Sequence, residues 1–246
     1  MKLLVCISKT PDTTSKISFN ADNTEFNGAG VQYIMNPYDE WYALVRAMEI
    51  KETMGGTVTL INVGTVEDEQ IIRKGLALGA DEAVRINVNP TSALFVSKQI
   101  AEYAKANQYD IVLLGKETIA YNGSEVGAMV AEYLDMPYIS NGSKLQLDAN
   151  TATIERDIEG GIEVLEVETP FVLSAAKGLA EQRIPNMRGI MMAKSKPITV
   201  VEPSAFTEVS LVTKYTMPVA KTGVKLVNPE DMDALVRMLH EDAKVI

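Results

Sequence analysis

Short apolar runs recur along the first half of the chain, and segments with helical spacing separate them. Runs of this kind are typical of strands buried on both faces of a parallel sheet, and the segments between them favour amphipathic helices. The predicted strands are 2–8, 58–63, 82–88 and 110–115, and the predicted helices are 42–54, 67–78, 93–106 and 125–134. Regular alternation of strand and helix predicts a doubly wound, mainly parallel α/β sheet.

The pattern changes after Pro137. Short alternating runs at 145–147, 151–158 and 162–167 are separated by turn residues and predict a small antiparallel flap. The apolar run 171–176 predicts a strand that rejoins the sheet. Periodicity is then lost from Pro197 until a helical pattern at 229–240, so we expect an α/β domain over 1–198 and a C-terminal arm over 199–246.

The composition of the chain limits the functions and binding partners that it can have. With 46% apolar residues the chain can bury a sizeable core, and its 23 Lys and Arg against 33 Asp and Glu give a formal charge of −10 over 246 residues. This charge disfavours binding to nucleic acid polymers. One Cys and one His exclude both an intrachain disulfide and a zinc site built from Cys and His. No signal segment or membrane-spanning run is evident, and we expect a cytoplasmic protein.

Three loops follow predicted strands, at 8–13, 63–65 and 115–127. In open α/β sheets, ligands bind at the carboxyl ends of strands, and the amides at a helix N-terminus bind phosphate. The third loop is therefore a candidate phosphate site, although Asn122 and Ser124 can equally be turn and capping residues. The stretch 36–40 likewise suits either a helix start or contact with a flat ligand ring.

The recognition loop, defined here as residues 177–192, combines an apolar Leu179 with Glu181 and Arg183 and leads into a short amphipathic segment. We expect the loop to expose Leu179, because an apolar side chain on a polar loop often anchors a partner protein. The alternative is an ordinary connector with a basic helix end.

The recognition loop also carries a family resemblance. Residues 178–191, followed by Ala193-Lys194-Ser195-Lys196-Pro197, strongly resemble the signature of the electron transfer flavoprotein β subunit. Further stretches that resemble the family, in the family's order, are 35–40, 76–81, 113–116, 155–161 and 222–225. The resemblance covers essentially the whole chain.

This resemblance implies a Rossmann-like, adenine-nucleotide-binding subunit of an electron shuttle that changes no chemical bond by itself. FAD is bound mainly by its α partner. Acyl-CoA dehydrogenases and other flavin dehydrogenases donate electrons to this FAD, and a quinone reductase or another acceptor receives them. The β subunit usually holds AMP. The residues implied around AMP are Cys6, Asn36, Val63, Tyr121, Asn122, Gly123, Ser124, Glu125 and Val126.

By the same resemblance, Thr13 and Tyr38 approach the FAD ring, and Leu179 anchors the dehydrogenase beside Glu181 and Arg183. The loop departs from the family pattern at Ala180 and Gln182, and Glu125 carries a charge that can repel phosphate. Two alternatives stay open: a bifurcating variant with a second FAD in place of AMP, and a stand-alone nucleotide-sensing module. The stretch 154–161 favours the branch that holds AMP.

Overall fold

A nine-stranded sheet organises the computed structural model, which describes residues 1–220 and 223–246. Along the chain the strands are β1 (Lys2–Cys6), β2 (Lys9–Pro11), β3 (Tyr33–Met35), β4 (Thr57–Gly64), β5 (Glu82–Asn87), β6 (Ile111–Gly115), β7 (Tyr138–Asp148), β8 (Thr151–Ile158), β9 (Gly161–Glu168), β10 (Phe171–Ala175) and β11 (Ile198–Val201). The sheet order is β11-β5-β4-β1-β6-β10-β7-β8-β9, and β2 pairs only with β3. The predicted α/β fold is confirmed.

Six α-helices accompany these strands in the described residues. They are α1 (Asp39–Met54), α2 (Glu69–Leu78), α3 (Ala93–Asn107), α4 (Val126–Leu134), α5 (Met187–Ala193) and α6 (Met232–Arg237). Helix α1 begins earlier than the predicted residue 42, since Asp39 and Glu40 occupy its first turn, where acidic side chains suit the helix dipole. Helix α6 begins later than predicted, because Asp231 caps it by accepting a hydrogen bond from the Ala234 amide.

The sheet separates two hydrophobic clusters. Successive residues of β1 alternate between them: Leu3 and Val5 pack with α1 and α2, whereas Leu4 and Cys6 pack with α3 and α4. Both faces of the central strands are thus buried, which explains their continuous apolar runs. None of the helices in the described parts of the chain has the length and apolar character that crossing a bilayer requires.

The order of the strands reverses at β1. From β1 the chain continues to β4 and β5 on one side, and it then returns to β6 and β10 on the other. Strands β1 and β6 are parallel neighbours, with Leu3 opposite Ile111 and Val5 opposite Leu113. Loops leaving the carboxyl ends of these two strands diverge, and a crevice at such a switch point is the usual ligand site of this architecture.

The predicted antiparallel flap is confirmed, and it continues the main sheet. Strand β7 pairs in parallel with β10 and antiparallel with β8, and β9 completes the meander. Leu145, Ala152 and Ile154 pack into the core, while Ile162 and Val164 are each 60% exposed on the outer strand. The flap therefore has one buried and one open face.

Three short strands escaped prediction. Strands β2 and β3 have three residues each, too few for a periodic signal, and they pair through positions such as Thr10 and Ile34. Strand β11 pairs in parallel with β5 at the edge of the sheet and starts at Ile198, so the predicted boundary between the domain and the arm falls on its first residue. From 202 to 220 the chain forms neither helix nor strand, and Thr222 of the family-like stretch 222–225 lies outside the described residues.

A substitution at Phe171 tests the assignment of the core, because this side chain at the start of β10 is fully buried. Replacing Phe171 with Ala should lower the free energy of unfolding, measured by urea denaturation, by about 3–5 kcal/mol. Ile162→Ala in the open face of the flap is the control and should change it by less than about 0.5 kcal/mol. Equal losses in the two variants would contradict the assignment of the core.

Candidate functional site

The side chain of Asn36, directly after β3, holds the loop that follows β6. Asn36 is 1% exposed; its Nδ2 donates to the Glu117 carbonyl at 3.0 Å, and its Oδ1 accepts from the Ile119 amide at 3.0 Å. The backbone of Asn36 is held in turn, because its amide donates to the Ser8 carbonyl at 3.0 Å. Asn36 therefore fixes the start of the loop after β6 to the chain that follows β3.

The first turn of α1 packs tightly against the end of β6. A Cβ atom at Gly115 would lie 2.9 Å from the Glu40 amide nitrogen, closer than Cβ atoms are found, and 3.0 Å from the Asp39 Cβ, closer than most Cβ contacts. Glycine is thus the residue that lets β6 reach α1 here. The close approach places the start of α1 directly beside the loop that follows Gly115.

Glu40 is buried at this junction. Its carboxylate accepts from the Ser8 amide at 2.8 Å and from the Ser8 hydroxyl at 2.6 Å. Burial nevertheless raises the pKa of Glu40 to about 8, and the neighbouring Asp39 adds to the rise. The Cys6 thiol is also kept neutral, because burial raises its pKa and the Glu40 charge acts in the same direction. A neutral buried thiol is a poor nucleophile, so Cys6 is a packing or contact residue.

A cleft of about 260 Å³ opens at the carboxyl end of the sheet. The residues that line it are Pro37, Tyr38, Asp39, Tyr42, Lys116, Glu117, Ile119, Asn122 and Lys177. The lining thus combines two aromatic rings with two ammonium groups and two carboxylates, and Lys116 Nζ lies 3.5 Å from Glu117 Oε1. A concave surface with two aromatic rings and a few polar groups suits a flat, polar ligand. Burial raises the pKa of Asp39 in the wall of the cleft, and the nearby Lys116 ammonium opposes that rise.

The predicted nucleotide residues fall into two groups. Cys6 and Val63 are buried at neighbouring strand ends, in the cluster against which Val126 packs at the start of α4. The loop from Tyr121 to Glu125 is exposed instead, and Asn122 and Ser124 adopt positive φ angles of 50° and 53°. Of the predicted flavin contacts, Tyr38 lines the cleft and is 63% exposed, whereas Thr13 lies in an exposed loop and does not line the cleft.

The recognition loop differs from expectation at its predicted anchor. Leu179 is only 3% exposed and belongs to the core cluster beside α1 and α2, so the expectation that the loop exposes it is wrong. The turn after β10 directs Leu179 inward, and its amide donates to the Ala176 carbonyl. Strongly exposed apolar side chains lie further along this loop, among them Ile184 (86%) and Met187 (74%).

The charged residues of the recognition loop also have distinct surroundings. Arg183 donates to both carboxylate oxygens of Glu52, at 2.7 and 2.9 Å, and its carbonyl accepts from Trp41 Nε1 at 3.1 Å. Glu181 is exposed. Arg183 thus ties the loop to α1, an interaction that the sequence did not reveal because its partners lie far away in the chain.

Helix α5 is held against α2 at the other end of the recognition loop. Arg73 of α2 donates to the carbonyls of Ala193 and Lys196, at 2.7 and 2.6 Å. Lys196 donates in return to the carbonyls of Leu76 and Ala80 at the end of α2, at 3.0 and 2.5 Å. A Cβ atom at Gly189 would collide with the Ala77 carbonyl, so the two helices meet backbone to backbone. The loop is consequently fixed at both ends.

The chain resembles known proteins over its whole length. A sequence profile described as "Electron transfer flavoprotein domain" matches residues 25–206. The electron transfer flavoprotein subunit beta of Bacillus subtilis is 34% identical over 261 residues, with 100% of both chains covered. The subunit of the same name from Homo sapiens is 31% identical over 248 residues, which cover 96% of this chain and 97% of the human one. The chain belongs to the electron transfer flavoprotein beta-subunit family.

Several residues at the site of this family member were missed by sequence reasoning. Lys177 and Tyr42 line the cleft, and Trp41 and Glu52 hold the recognition loop. Lys177 directly follows a predicted strand, which was a usable signal. The others lie within α1, where only the packing of that helix shows which side chains face the site. No cluster of metal-binding side chains occurs in residues 1–220 and 223–246.

Glu40 gives the site a pH dependence. The folded state holds a proton on Glu40 up to about pH 8, whereas the unfolded chain releases it near 4.5, so stability falls as the pH rises through this interval. Replacing Glu40 with Gln should flatten this decline and raise the free energy of unfolding at pH 9, relative to the native chain, by on the order of a few kcal/mol.

Urea unfolding at several pH values between about 5 and 9 measures the effect of Glu40→Gln. The exposed Glu132→Gln serves as the control and should retain the decline of the native chain. A parallel pH dependence in the native chain and in Glu40→Gln would contradict the role of Glu40.

Proposed function

We propose that this chain is the small subunit of a two-subunit electron carrier. Its α subunit provides most of the contacts to FAD. The two subunits together accept electrons from flavin dehydrogenases of the acyl-CoA type and pass them to a quinone reductase or another acceptor. The full-length match to an electron transfer flavoprotein subunit beta carries this proposal. The cleft at the switch point supports it, because such a crevice suits an adenine nucleotide or a flavin edge.

The chain itself holds AMP in this proposal. The adenosine lies near the ends of β1 and β4, against Cys6 and Val63, and the phosphate binds the amides that precede α4. Amide groups at a helix start attract phosphate even in a chain of net negative charge. The positive φ angles at Asn122 and Ser124 support this role, since a loop with such backbone can direct successive amides to one anion. Glu125 is exposed and can turn its carboxylate towards solvent.

The FAD of the α subunit lies beside the open side of the cleft in this proposal. Tyr38 supports the assignment, because its ring is 63% exposed and lines the cleft. Tyr42 lines the same cleft and adds a second aromatic ring suited to a flat ligand, while Asp39 and Glu117 offset the charges of Lys116 and Lys177. Thr13 approaches the flavin from the loop after β2.

The C-terminal arm at 199–246 contacts the α subunit. Beyond β11 the arm carries apolar side chains that the chain itself leaves uncovered, among them Val219 (95%), Leu226 (92%) and Val209 (73%). Exposed apolar side chains along an irregular segment favour burial against a partner. The first part of the arm is held to the domain, since Ser204 exchanges hydrogen bonds with Gln99 and the Tyr215 ring stacks on Phe19 at 4.5 Å between ring centroids.

Co-expression with the cognate α subunit tests the carrier function. We expect a yellow heterodimer that, after heat release and chromatography, yields one FAD and one AMP. Two flavins without AMP would indicate the bifurcating variant instead. A colourless homodimer that binds nucleotide without the α subunit would favour a nucleotide-sensing module and contradict the carrier.

Asn36→Ala tests whether the loop after β6, which Asn36 holds in place, binds the nucleotide. Loss of both side-chain hydrogen bonds should free the loop from residue 117 onward and lower AMP content in the purified heterodimer, while FAD content stays unchanged. Asn107→Ala is a matched control, since Asn107 donates only to the Tyr103 carbonyl at the end of α3. Full AMP content in Asn36→Ala would argue against a nucleotide site formed by this loop.

The dehydrogenase docks on the recognition loop through the apolar side chains that the fold leaves open. Ile184 and Met187 suit this role, whereas Leu179 is buried in the core and Arg183 is engaged with Glu52. Since both ends of the loop are fixed, docking requires little ordering of the backbone, which favours affinity. Glu181 lies at the exposed rim of this surface.

Ile184→Ser combined with Met187→Ser should raise the KM of an acyl-CoA dehydrogenase for the heterodimer about tenfold, because interface hot spots are lost. Flavin content should be unchanged. Val164→Ser is the control, since Val164 is also largely exposed but lies in the flap. Unchanged kinetics in the double variant would remove the docking role from these residues. Leu179→Ala should lower the stability of the fold, as expected for a buried leucine.

A further inference from the structure

Three exposed methionines lie close together in sequence on α5, at the end of the recognition loop. Met187, Met191 and Met192 are 74%, 69% and 49% exposed, and they lie within six consecutive residues of a chain that has 12 methionines in all. Ile184 and Ile190 of the same segment are also exposed, at 86% and 43%. The thioether sulfur atoms are thus concentrated on the surface that we assign to docking.

The packing of α5 keeps these side chains outside. Gly189 faces the Ala77 carbonyl and Ala193 is 3% exposed, so the small residues of α5 occupy its contact with α2. Arg73 and Lys196 fix this arrangement with four hydrogen bonds to backbone carbonyls. Rotation of α5 to bury the methionines would break these bonds and bring side chains against the backbone of α2.

Exposed thioethers are the methionine groups that peroxides oxidise most readily. Hydrogen peroxide transfers one oxygen atom to sulfur: the oxygen–oxygen bond breaks, a sulfur–oxygen bond forms, and water leaves. The sulfur loses two electrons and the peroxide gains them, so the step is balanced. The product is a polar sulfoxide, which is poorly suited to a dry apolar interface.

We propose that Met187, Met191 and Met192 form a peroxide-sensitive modification site whose conversion to sulfoxides weakens docking of the electron-donating dehydrogenase. This inference rests on the proposed docking function of the same surface. Methionine sulfoxide reductases reverse the modification, so the site acts as a reversible control on electron entry. The flavin and nucleotide sites stay intact, since the three side chains do not line the cleft.

The test uses the purified heterodimer and an acyl-CoA dehydrogenase from the same organism. The heterodimer alone is treated with hydrogen peroxide, freed of the oxidant, and mapped by peptide mass spectrometry for added oxygen. Its Kd for the untreated dehydrogenase is then measured by surface plasmon resonance, and FAD and AMP contents are measured in parallel. We expect sulfoxides at the three positions, a Kd raised about tenfold and unchanged cofactor contents.

Leucine variants separate this site from general oxidation. The triple variant Met187→Leu, Met191→Leu, Met192→Leu keeps an apolar surface without sulfur, and its Kd should resist peroxide. The control variant Met54→Leu replaces a methionine that is 39% exposed at the end of α1, outside both the recognition loop and the arm, and it should stay as sensitive as the native chain. Methionine sulfoxide reductases for both epimers should restore the native Kd. Should the triple variant fail to fold, the single variant Met187→Leu gives the same comparison with partial protection.

Each unfavourable result points to one conclusion. Oxidation of all three sulfurs without a change in Kd, or absence of oxidation at these positions, overturns the inference and leaves the docking proposal standing. Equal peroxide sensitivity in the leucine triple variant also overturns it. If the untreated heterodimer does not bind the dehydrogenase although it contains FAD, the docking proposal itself fails, and this inference fails with it.

Discussion

The close approach of β6 to the first turn of α1 is the contact on which the site depends. It requires the missing side chain at Gly115, and it sets α1 beside the loop that carries Asn122 and the start of α4. Asn36 then fastens that loop to the opposite side of the crevice through both ends of its amide group. With the crevice bounded in this way, Tyr38 and Lys116 face one cleft although they lie far apart in the chain.

The two buried polar side chains at this junction, Asn36 and Glu40, differ in how well their hydrogen-bonding and charge requirements are met. The amide of Asn36 is satisfied as donor and as acceptor, whereas the carboxyl group of Glu40 accepts from the neutral amide and hydroxyl of Ser8 and forms no ion pair within the described parts of the chain. Burial of a charge without a cationic partner favours the protonated form, which explains the raised pKa of Glu40. The site thus combines a fixed frame with one group that can change its charge near neutral pH.

The surface assigned to docking is built on the same helices. Trp41 and Glu52 of α1 hold one end of the recognition loop, and Arg73 of α2 holds the other. Since α1 also bounds the cleft, the loop and the cleft share a rigid support. A partner seated on Ile184 and Met187 would therefore meet a surface of fixed position relative to the cleft.

The sequence by itself determined the elements and the class of fold. Nearly continuous apolar runs identified β1, β4, β6 and β10, because strands buried on both faces carry apolar side chains at most positions. The loops after them pointed to the ligand site. It also carried the family resemblance, since motifs are written in consecutive residues. Strands of three or four residues, such as β2 and β11, left no periodic signal.

Only the tertiary structure decided which side chains meet and which are covered. Leu179 has the same apolar character as Ile184, and the sequence favoured Leu179 as the exposed residue, but the turn after β10 buries it. The sequence suggested that Arg183 is available to a partner protein, but in the fold its guanidinium group binds Glu52 of α1. A local pattern shows whether each residue prefers water or the core. Whether its side chain is in fact exposed depends on contacts with residues that can lie more than a hundred positions away, and a local pattern does not contain those contacts.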